Sequence, residues 1–528
     1  MAAGNSEVEQ KQHHRANKPG LLKASGVTGS MTTLSRILGL LRDVVIARLF
    51  GPGDGADVFF LANKIPNFLR RLFAEGAFNQ AFVPVLSEYR ATRSLAEVQQ
   101  LVNYVAGSLS STLFVVTAIV VAAAPLIAVP LAYGFTDEPA KFELFIEMFR
   151  ITFPYLMLIS LAAFCGSILN SYDRFAVPAL TPALLNVSLI GCSVLLSPHL
   201  SSPELALAWG VLIAGVGQLL FQLPFLVQIR LLPKPKTGKF HEGVERIKTL
   251  MIPALFGVSV SQINLLLDTF IASFLVSSSV SWLYFSDRLM ELPLGIFGVA
   301  IATVVLPSLS RKHAEDSLDD FGHTLDWAFR LVCLVAIPAT LALMVIAEPI
   351  LVTLFQNDNF SVNDVIRVTS SLQAYAFGLT AFMAVKIFAP GFYARQDTKT
   401  PVRIGIIAMA TNMVLNIVLV FLLDLAYVGL ALATSLAAFV NAGLLFARLR
   451  RDRVYHFKSG WQRFLLRIIV ANAFMVVFLI FYAGNWQDWL EWGGWQRAMQ
   501  LGVLSAGGLA IYLITLFGAG MRFRHIYR

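Results

Sequence analysis

Long apolar runs broken by short polar segments repeat along the whole 528-residue chain. A membrane-spanning helix needs about 20 apolar residues, and about fourteen runs meet that length. They lie near 25–50, 57–76, 98–133, 146–170, 176–198, 204–229, 246–276, 280–309, 325–347, 366–393, 401–423, 427–448, 463–483 and 498–520. The pattern predicts an all-α polytopic membrane protein with about 14 transmembrane helices.

The breaks between runs sort by charge. Alternate breaks hold Arg90 and Arg93, Arg174, the stretch Arg230 to Lys248, Arg311 and Lys312, Arg395 and Lys399, Arg448 to Arg463, and the final Arg522 to Arg528. The intervening breaks hold only Lys141 and Arg497 among Lys and Arg. Basic loops stay in the cytoplasm, so an even number of spans and two cytoplasmic termini follow. On the opposite side, Trp486, Trp489, Trp492 and Trp495 resemble an aromatic interfacial anchor.

Composition narrows the class. The chain is 57% hydrophobic and 14% charged, where soluble domains carry about a quarter charged residues, so soluble-enzyme readings fall away. The net charge of +9 is explained by topology rather than by nucleic acid, which is not an expected partner. Cys165, Cys192 and Cys333 stand far apart within apolar stretches, so neither a disulfide framework nor a zinc site is indicated. Residues 1–20 are polar and lack a signal-peptide core, which predicts a cytoplasmic tail.

An internal repeat organises the runs. Phe82-Val-Pro-Val-Leu-Ser87 recurs as Val305-Leu-Pro-Ser-Leu-Ser310, and Asn170-Ser-Tyr-Asp-Arg174 with Pro178 resembles Phe392-Tyr-Ala-Arg395 with Pro401. Both pairs lie six spans apart in one orientation, which predicts two pseudo-symmetric six-helix lobes, 21–230 and 246–453, around a 231–245 cytoplasmic loop. Residues 454–528 then supply two C-terminal helices. In such folds the substrate site is expected between the halves.

Arg36, Arg42, Arg70 and Arg288 interrupt this apolar pattern. At a rise of 1.5 Å per residue, Arg42 and Arg288 lie roughly 12 Å from the expected outer ends, and Arg36 and Arg70 roughly 20 Å. Each such charge costs roughly 2.5 to 3.5 kcal/mol on insertion scales, so the four predict a water-filled, anion-binding cavity. A set of structural ion pairs is the alternative. Arg48 and Arg71 can snorkel and are left out.

Nearby polar residues divide into two groups. Asp43 lies on nearly the same face as Arg36, and Asp287 and Glu291 flank Arg288, so Asp43 and Glu291 are candidates to orient or gate the arginines. Asn63, Asn67 and Arg70 form a helical stripe suited to sugar hydroxyls or to a neighbouring helix. Asp268, in the seventh run, and Asn412 and Asn416, on one face of the eleventh, offer oxygens suited to sodium, while a lone carboxylate also suits a proton. Pairing of Asp268 with Arg288 is the competing arrangement.

The residues Ser35-Arg36-Ile-Leu-Gly-Leu-Leu-Arg42-Asp43, Gly55-Ala-Asp57, Pro66-Asn67, Arg70-Arg71-Leu-Phe-Ala-Glu75-Gly76, Asp287-Arg288-Leu-Met-Glu291 and Ala389-Pro-Gly-Phe-Tyr-Ala-Arg395 together resemble the MurJ/MviN family. The resemblance covers essentially the whole chain after about residue 20. It implies a lipid II flippase of bacterial peptidoglycan synthesis, in the superfamily of multidrug exporters and polysaccharide flippases. It further implies alternating access by two lobes, a lipid-tail groove on the last two helices, and a place in the bacterial cytoplasmic membrane.

By the same resemblance, Arg36, Arg42, Asp43, Arg70 and Arg288 are the essential cavity residues, with Asp57 and Asn67 joining Asp43 and Glu291 as gating or orienting candidates. Thr434 joins Asp268, Asn412 and Asn416 as a candidate sodium ligand. No resident cofactor is implied; sodium, protons or the membrane potential are the candidate energy sources, and cell-wall synthesis machinery is a candidate partner. Rival functions are export of another polyprenyl-linked glycan or of a drug, a membrane enzyme acting on a polyprenyl carrier, and a cell-wall scaffold.

Overall fold

The computed structural model describes residues 18–237, 241–315 and 317–522. Most of the polar tail, part of the 231–245 loop and the basic end from 523 lie outside the described residues. Every regular element among those described is helical.

The first half contains α1 (Lys18–Leu49), α2 (Asp54–Leu69), α3 (Asn79–Thr92), α4 (Leu95–Ala122), α5 (Ala124–Leu131), α6 (Pro139–Thr152), α7 (Tyr155–Ser171), α8 (Ala176–Leu195) and α9 (Leu205–Gln228). The second half contains α10 (Glu242–Ala272), α11 (Ser279–Pro293), α12 (Val299–Ala314), α13 (Leu318–Val345), α14 (Ala347–Leu354), α15 (Val362–Tyr393), α16 (Lys399–Asn416) and α17 (Ala426–Arg451). Finally come α18 (Trp461–Ala483), α19 (Asp488–Glu491) and α20 (Gly494–Gly518).

Among the described residues, eleven helices are long and apolar enough to cross a membrane. The α1 and α2–α3 helices, which carry Arg36, Arg42, Asp43, Asp57, Lys64 and Arg70, stand outside that set, as does α10. For α1 and α2–α3, the residues that suggest function are the ones that dilute the hydropathy.

π-Helical stretches recur along the chain. A π-helical stretch, Arg70–Phe78, joins α2 to α3, and another, Leu294–Gly298, joins α11 to α12. Both sit in the second spanning run of their half. A third, Ile417–Leu422, extends α16. Such turns insert a residue into the i→i−4 ladder and are frequent at functional sites.

Packing divides the chain into two units, Met1–Phe50 with Val58–Gln262 and Gly51–Asp57 with Ile263–Arg528, a division that falls inside α10. In the first unit, α8 packs on both α1 and α9. A second core forms where Phe78, Phe82 and Phe164 stack within 5.1 to 6.0 Å of one another.

The chain leaving α9 is strapped to α4. Asn103 accepts from the Lys234 amide at 2.7 Å, and Gln99 donates to the Leu232 carbonyl at 2.9 Å. A Cβ at Gly107 would fall 1.9 Å from the Lys236 carbonyl oxygen, so the strap requires glycine there. His241 closes the strap against Tyr104 and Tyr89, and burial holds its imidazole below the ordinary range, with Glu242 opposing. A histidine held low in the fold contributes stability above about pH 6.5 that is lost as pH falls. The protection of amides in residues 232–237, taken relative to the intrinsic exchange rate at each pH, should therefore fall between pH 7.5 and 5.5, and a His241→Phe variant should remove that dependence.

In the second unit, α15 packs along α17, where a Cβ at Gly378 would meet Ser435 Oγ at 2.5 Å. Buried Asp326 on α13 anchors the start of α18. It accepts from Trp461 Nε1 at 2.7 Å, from the Tyr455 hydroxyl at 2.9 Å and from Arg330 Nε at 2.8 Å. Arg497, one of the two basic residues that break the loop-charge rule, donates to the Trp492 and Leu490 carbonyls and to Gln356. It fastens the end of α14 to α20. The other exception, Lys141, is buried over the Phe135 ring. Both exceptions serve packing. Of the four tryptophans near 486–495, Trp495 is exposed as an interfacial residue would be, whereas Trp489 is buried and donates to the Ala483 carbonyl.

Candidate functional site

The first unit carries three of the four arginines, held in different ways. Arg42 is 9% exposed. Its Nε and Nη2 donate to Asp43 Oδ1 at 2.9 and 2.6 Å, and its Nη1 donates to Asn186 Oδ1 at 3.0 Å. Asn186 in turn donates to the Ser35 carbonyl at 3.0 Å and lies over Gly39, so one amide from α8 spans three successive turns of α1. Sequence spacing placed Asp43 on the face of Arg36; in the fold Asp43 Oδ1 accepts two hydrogen bonds from the adjacent Arg42. Arg36 is half-buried.

Arg70 opens the first π-helical stretch. The predicted stripe is present: Asn67 Nδ2 donates to the Asn63 carbonyl at 2.9 Å, and Arg70 Nε donates to Asn67 Oδ1 at 3.3 Å. Asn67 thus orients the guanidinium along its own helix. The Arg70 side chain is half-buried, with a face toward solvent.

In the second unit, Arg288 pairs with Glu291 at 2.8 Å and lies 5.1 Å from the Tyr284 ring centre. Its side chain remains 36% exposed and that of Glu291 44%, in contrast to the 11% of Arg42. The planar guanidinium is thus stacked on one side, paired on one edge and partly exposed.

Asp57 belongs by packing to the second unit and is 2% exposed. It accepts from the Ser278 amide at 2.7 Å, the Ser281 amide at 2.8 Å and the Ser281 hydroxyl at 2.5 Å, capping the start of α11. Ser278 adopts φ 74°, which turns its amide inward. Gly51, at φ 64°, lies so close to Asn359 that a Cβ would fall 1.9 Å from its carbonyl oxygen. The Gly51–Asp57 segment is therefore clamped at both ends. Asp57→Ala should cost about 3 kcal/mol through the buried amides left without an acceptor. Thermal unfolding of the detergent-solubilised variant measures this loss.

The Asp268 group also assembles within the second unit. Asn416 Nδ2 donates to Asp268 Oδ1 at 2.8 Å and to Asn412 Oδ1 at 3.0 Å, and Thr434 Oγ1 donates to Asp268 Oδ2 at 3.2 Å. Asn412 Nδ2 completes the ring to Thr434 at 3.3 Å. Three helices, α10, α16 and α17, thus bring a carboxylate, two amides and a hydroxyl together. The donor set is hard oxygen, which fits sodium, although the Asn416 amide must turn over to offer its oxygen to a cation.

Comparison with known proteins follows from this arrangement. The family model described as lipid II flippase MurJ matches residues 46–492. The chain belongs to that family. A protein from Vibrio cholerae serotype O1 called a probable lipid II flippase MurJ is 50% identical over 96% of this chain and 97% of its own length. A lipid II flippase MurJ from Burkholderia cenocepacia is 38% identical over 96% and 98%. A solved structure titled lipid II flippase MurJ, inward closed conformation, matches with a TM-score of 0.77 at 26% identity, covering 95% of this chain and 99% of that one. An inward-facing multidrug MATE transporter of the MOP superfamily shares the fold at a TM-score of 0.65 and 14% identity.

Asn186 was missed by sequence reasoning. Its signal was available: a lone amide in the apolar run of α8, the same kind of interruption that singled out Asn412 and Asn416. The role of Ser278 and Ser281 depends on a left-handed turn that leaves no sequence signal beyond small polar residues.

Proposed function

We propose that the chain moves lipid II from the cytoplasmic to the outer leaflet of the bacterial cytoplasmic membrane. Arg36, Arg42, Arg70 and Arg288 are the groups that supply the positive charge for the pyrophosphate. The observation that carries this reading is the partial exposure of Arg36, Arg70 and Arg288 on otherwise apolar or spanning helices, in a member of a flippase family. Half-exposed guanidinium groups make charge-assisted, bidentate bonds to phosphate oxygens, while the polyprenyl tail stays in the bilayer.

Neutralising these charges favours rearrangement between states that expose the headgroup to one side or the other, the alternating-access scheme of two-lobed transporters. Glu291 and Asn67 aim the guanidinium groups, and Asp57 gates by releasing or holding α11. An anion leaving the cytoplasm runs with an inside-negative potential, worth about 2.3 kcal/mol per charge per 100 mV. The Asp268, Asn412, Asn416 and Thr434 group is the proposed seat of a sodium ion or proton that resets the cycle.

Export of a cationic drug fits poorly with an arginine-rich site. Conditional depletion in cells, with labelled lipid II assigned to each leaflet, tests the assignment. Precursor should accumulate in the cytoplasmic leaflet; normal arrival outside would overturn it.

A further inference from the structure

The end of the second unit that loop charge assigns to the outer face carries a cation which, among the described residues, has no acid partner. Arg367 lies on α15, and counting back from the inner end of that helix at Tyr393 places it roughly 39 Å along the axis. A hydrocarbon core of about 30 Å ends short of it, so Arg367 stands at the level of the outer headgroups. The two basic residues of the outer breaks, Lys141 and Arg497, are taken up by packing. Arg367 is exposed.

The expected partner of Arg367 is Asp364, one turn earlier on the same helix. That carboxylate is already engaged. Asp364 Oδ2 accepts from the Ser361 amide at 3.0 Å and from the Ser361 hydroxyl at 2.6 Å, which caps α15, and Oδ1 accepts from Trp282 Nε1 of α11 at 2.8 Å. The indole anchored in this way is buried, and the Arg367 guanidinium lies over its ring, 5.3 Å from the centroid. Tyr427, at the start of α17, packs on the same ring at 5.0 Å and brings its hydroxyl beside the guanidinium.

We propose that Arg367, seated on Trp282, is a binding site for the phosphate of a lipid headgroup in the outer leaflet. Trp282 serves it twice: the ring holds the planar guanidinium by a cation–π contact, and the indole N–H occupies the carboxylate that would otherwise neutralise it. A guanidinium held flat presents parallel N–H groups that match two phosphate oxygens, whereas a freely snorkelling arginine offers no fixed fork. Two lipids supply that chemistry at this level, a phospholipid of the outer leaflet and a polyprenyl pyrophosphate. The site needs only the phosphate, so it stands or falls independently of lipid II transport.

The experiment mixes the purified, delipidated full chain in detergent with phosphatidylglycerol, farnesyl pyrophosphate or diacylglycerol, and counts retained lipid by native mass spectrometry. Arg367→Gln should retain about threefold less of a phosphate-bearing probe, as expected for the loss of one charge-assisted contact, and the same amount of diacylglycerol. Its melting temperature should stay at the wild-type value. Loss of phosphatidylglycerol, with or without farnesyl pyrophosphate, assigns the site to leaflet phospholipid; loss of farnesyl pyrophosphate alone assigns it to the pyrophosphate. The same loss should appear in an Arg288→Ala background, which excludes Arg288 as its source.

Trp282→Phe keeps a ring beneath the guanidinium but releases Asp364, so it should lower retention although every cation remains. Trp282→Phe/Asp364→Asn should restore it. A headgroup met by a snorkelling arginine would respond to neither change. Wild-type retention of both phosphate probes by Arg367→Gln, an equal loss of diacylglycerol, or no effect of Trp282→Phe overturns the proposal. Should Trp282→Phe fail to fold, the Arg367→Gln comparison decides alone.

Discussion

Arg288→Ala should lower lipid II transport about tenfold to a hundredfold, the loss expected when one charge-assisted contact to phosphate disappears. The fold itself should hardly notice. The Arg288–Glu291 pair spans adjacent turns of one helix with side chains 36% and 44% exposed, a setting in which an ion pair is worth about 0 to 1 kcal/mol. A drop in transport at unchanged melting temperature therefore reports on substrate rather than on stability. Arg288→Lys should recover part of the rate, because it restores the charge without the planar fork that grips two oxygens. Transport rates in vesicles reconstituted at matched protein density give the comparison. Full activity of the alanine variant would remove Arg288 from the site.

Asp43→Ala should act through the fold. It strips a buried guanidinium of the carboxylate that holds two of its nitrogens, and breaking a buried pair from one side costs about 3 to 5 kcal/mol. The variant should melt well below wild type. Removing both partners in Arg42→Ala/Asp43→Ala should cost less than the sum of the single changes, since neither charge is then left unpaired. A purely additive cycle would mean that the 2.6 Å contact contributes nothing to the native state. Asp43 and Arg288 thus separate two kinds of charge that the sequence presents alike.

The sequence distinguishes these cases poorly because depth in the membrane says nothing about who stands opposite. Arg42 and Arg288 lie at the same expected depth, yet one is enclosed by α8 and the other is half-open. What decides the difference is Asn186, far from Arg42 along the chain and brought to it only by the packing of α8 on α1. Local pairs were legible: Asn67 with Arg70 and Glu291 with Arg288 follow from the helical repeat of three to four residues. Asp268 was grouped with Asn412 and Asn416 from their oxygens, and Thr434 joined them only through family resemblance, since three separate helices supply the four residues.

Fold class was readable from hydropathy, because burying a backbone in lipid leaves helices as the simple solution. A repeat is suggested by the Phe82–Ser87 and Val305–Ser310 pair, and a π-helical stretch stands in the second apolar run of each half. Those stretches had no sequence signal, as they depend on one inserted residue whose cost the neighbouring helices absorb. Asp57 drew attention by its motif alone; its three hydrogen bonds to the start of α11 require the Ser278 turn.

The most direct measurement of the central claim places the purified chain in vesicles with labelled lipid II in one leaflet and follows its arrival in the other. Wild type should carry the label across in a manner abolished or strongly slowed by Arg36→Ala, Arg70→Ala and Arg288→Ala, at melting temperatures close to the parent. Transfer at the protein-free rate by wild type, or transfer untouched by all three substitutions, would contradict the account.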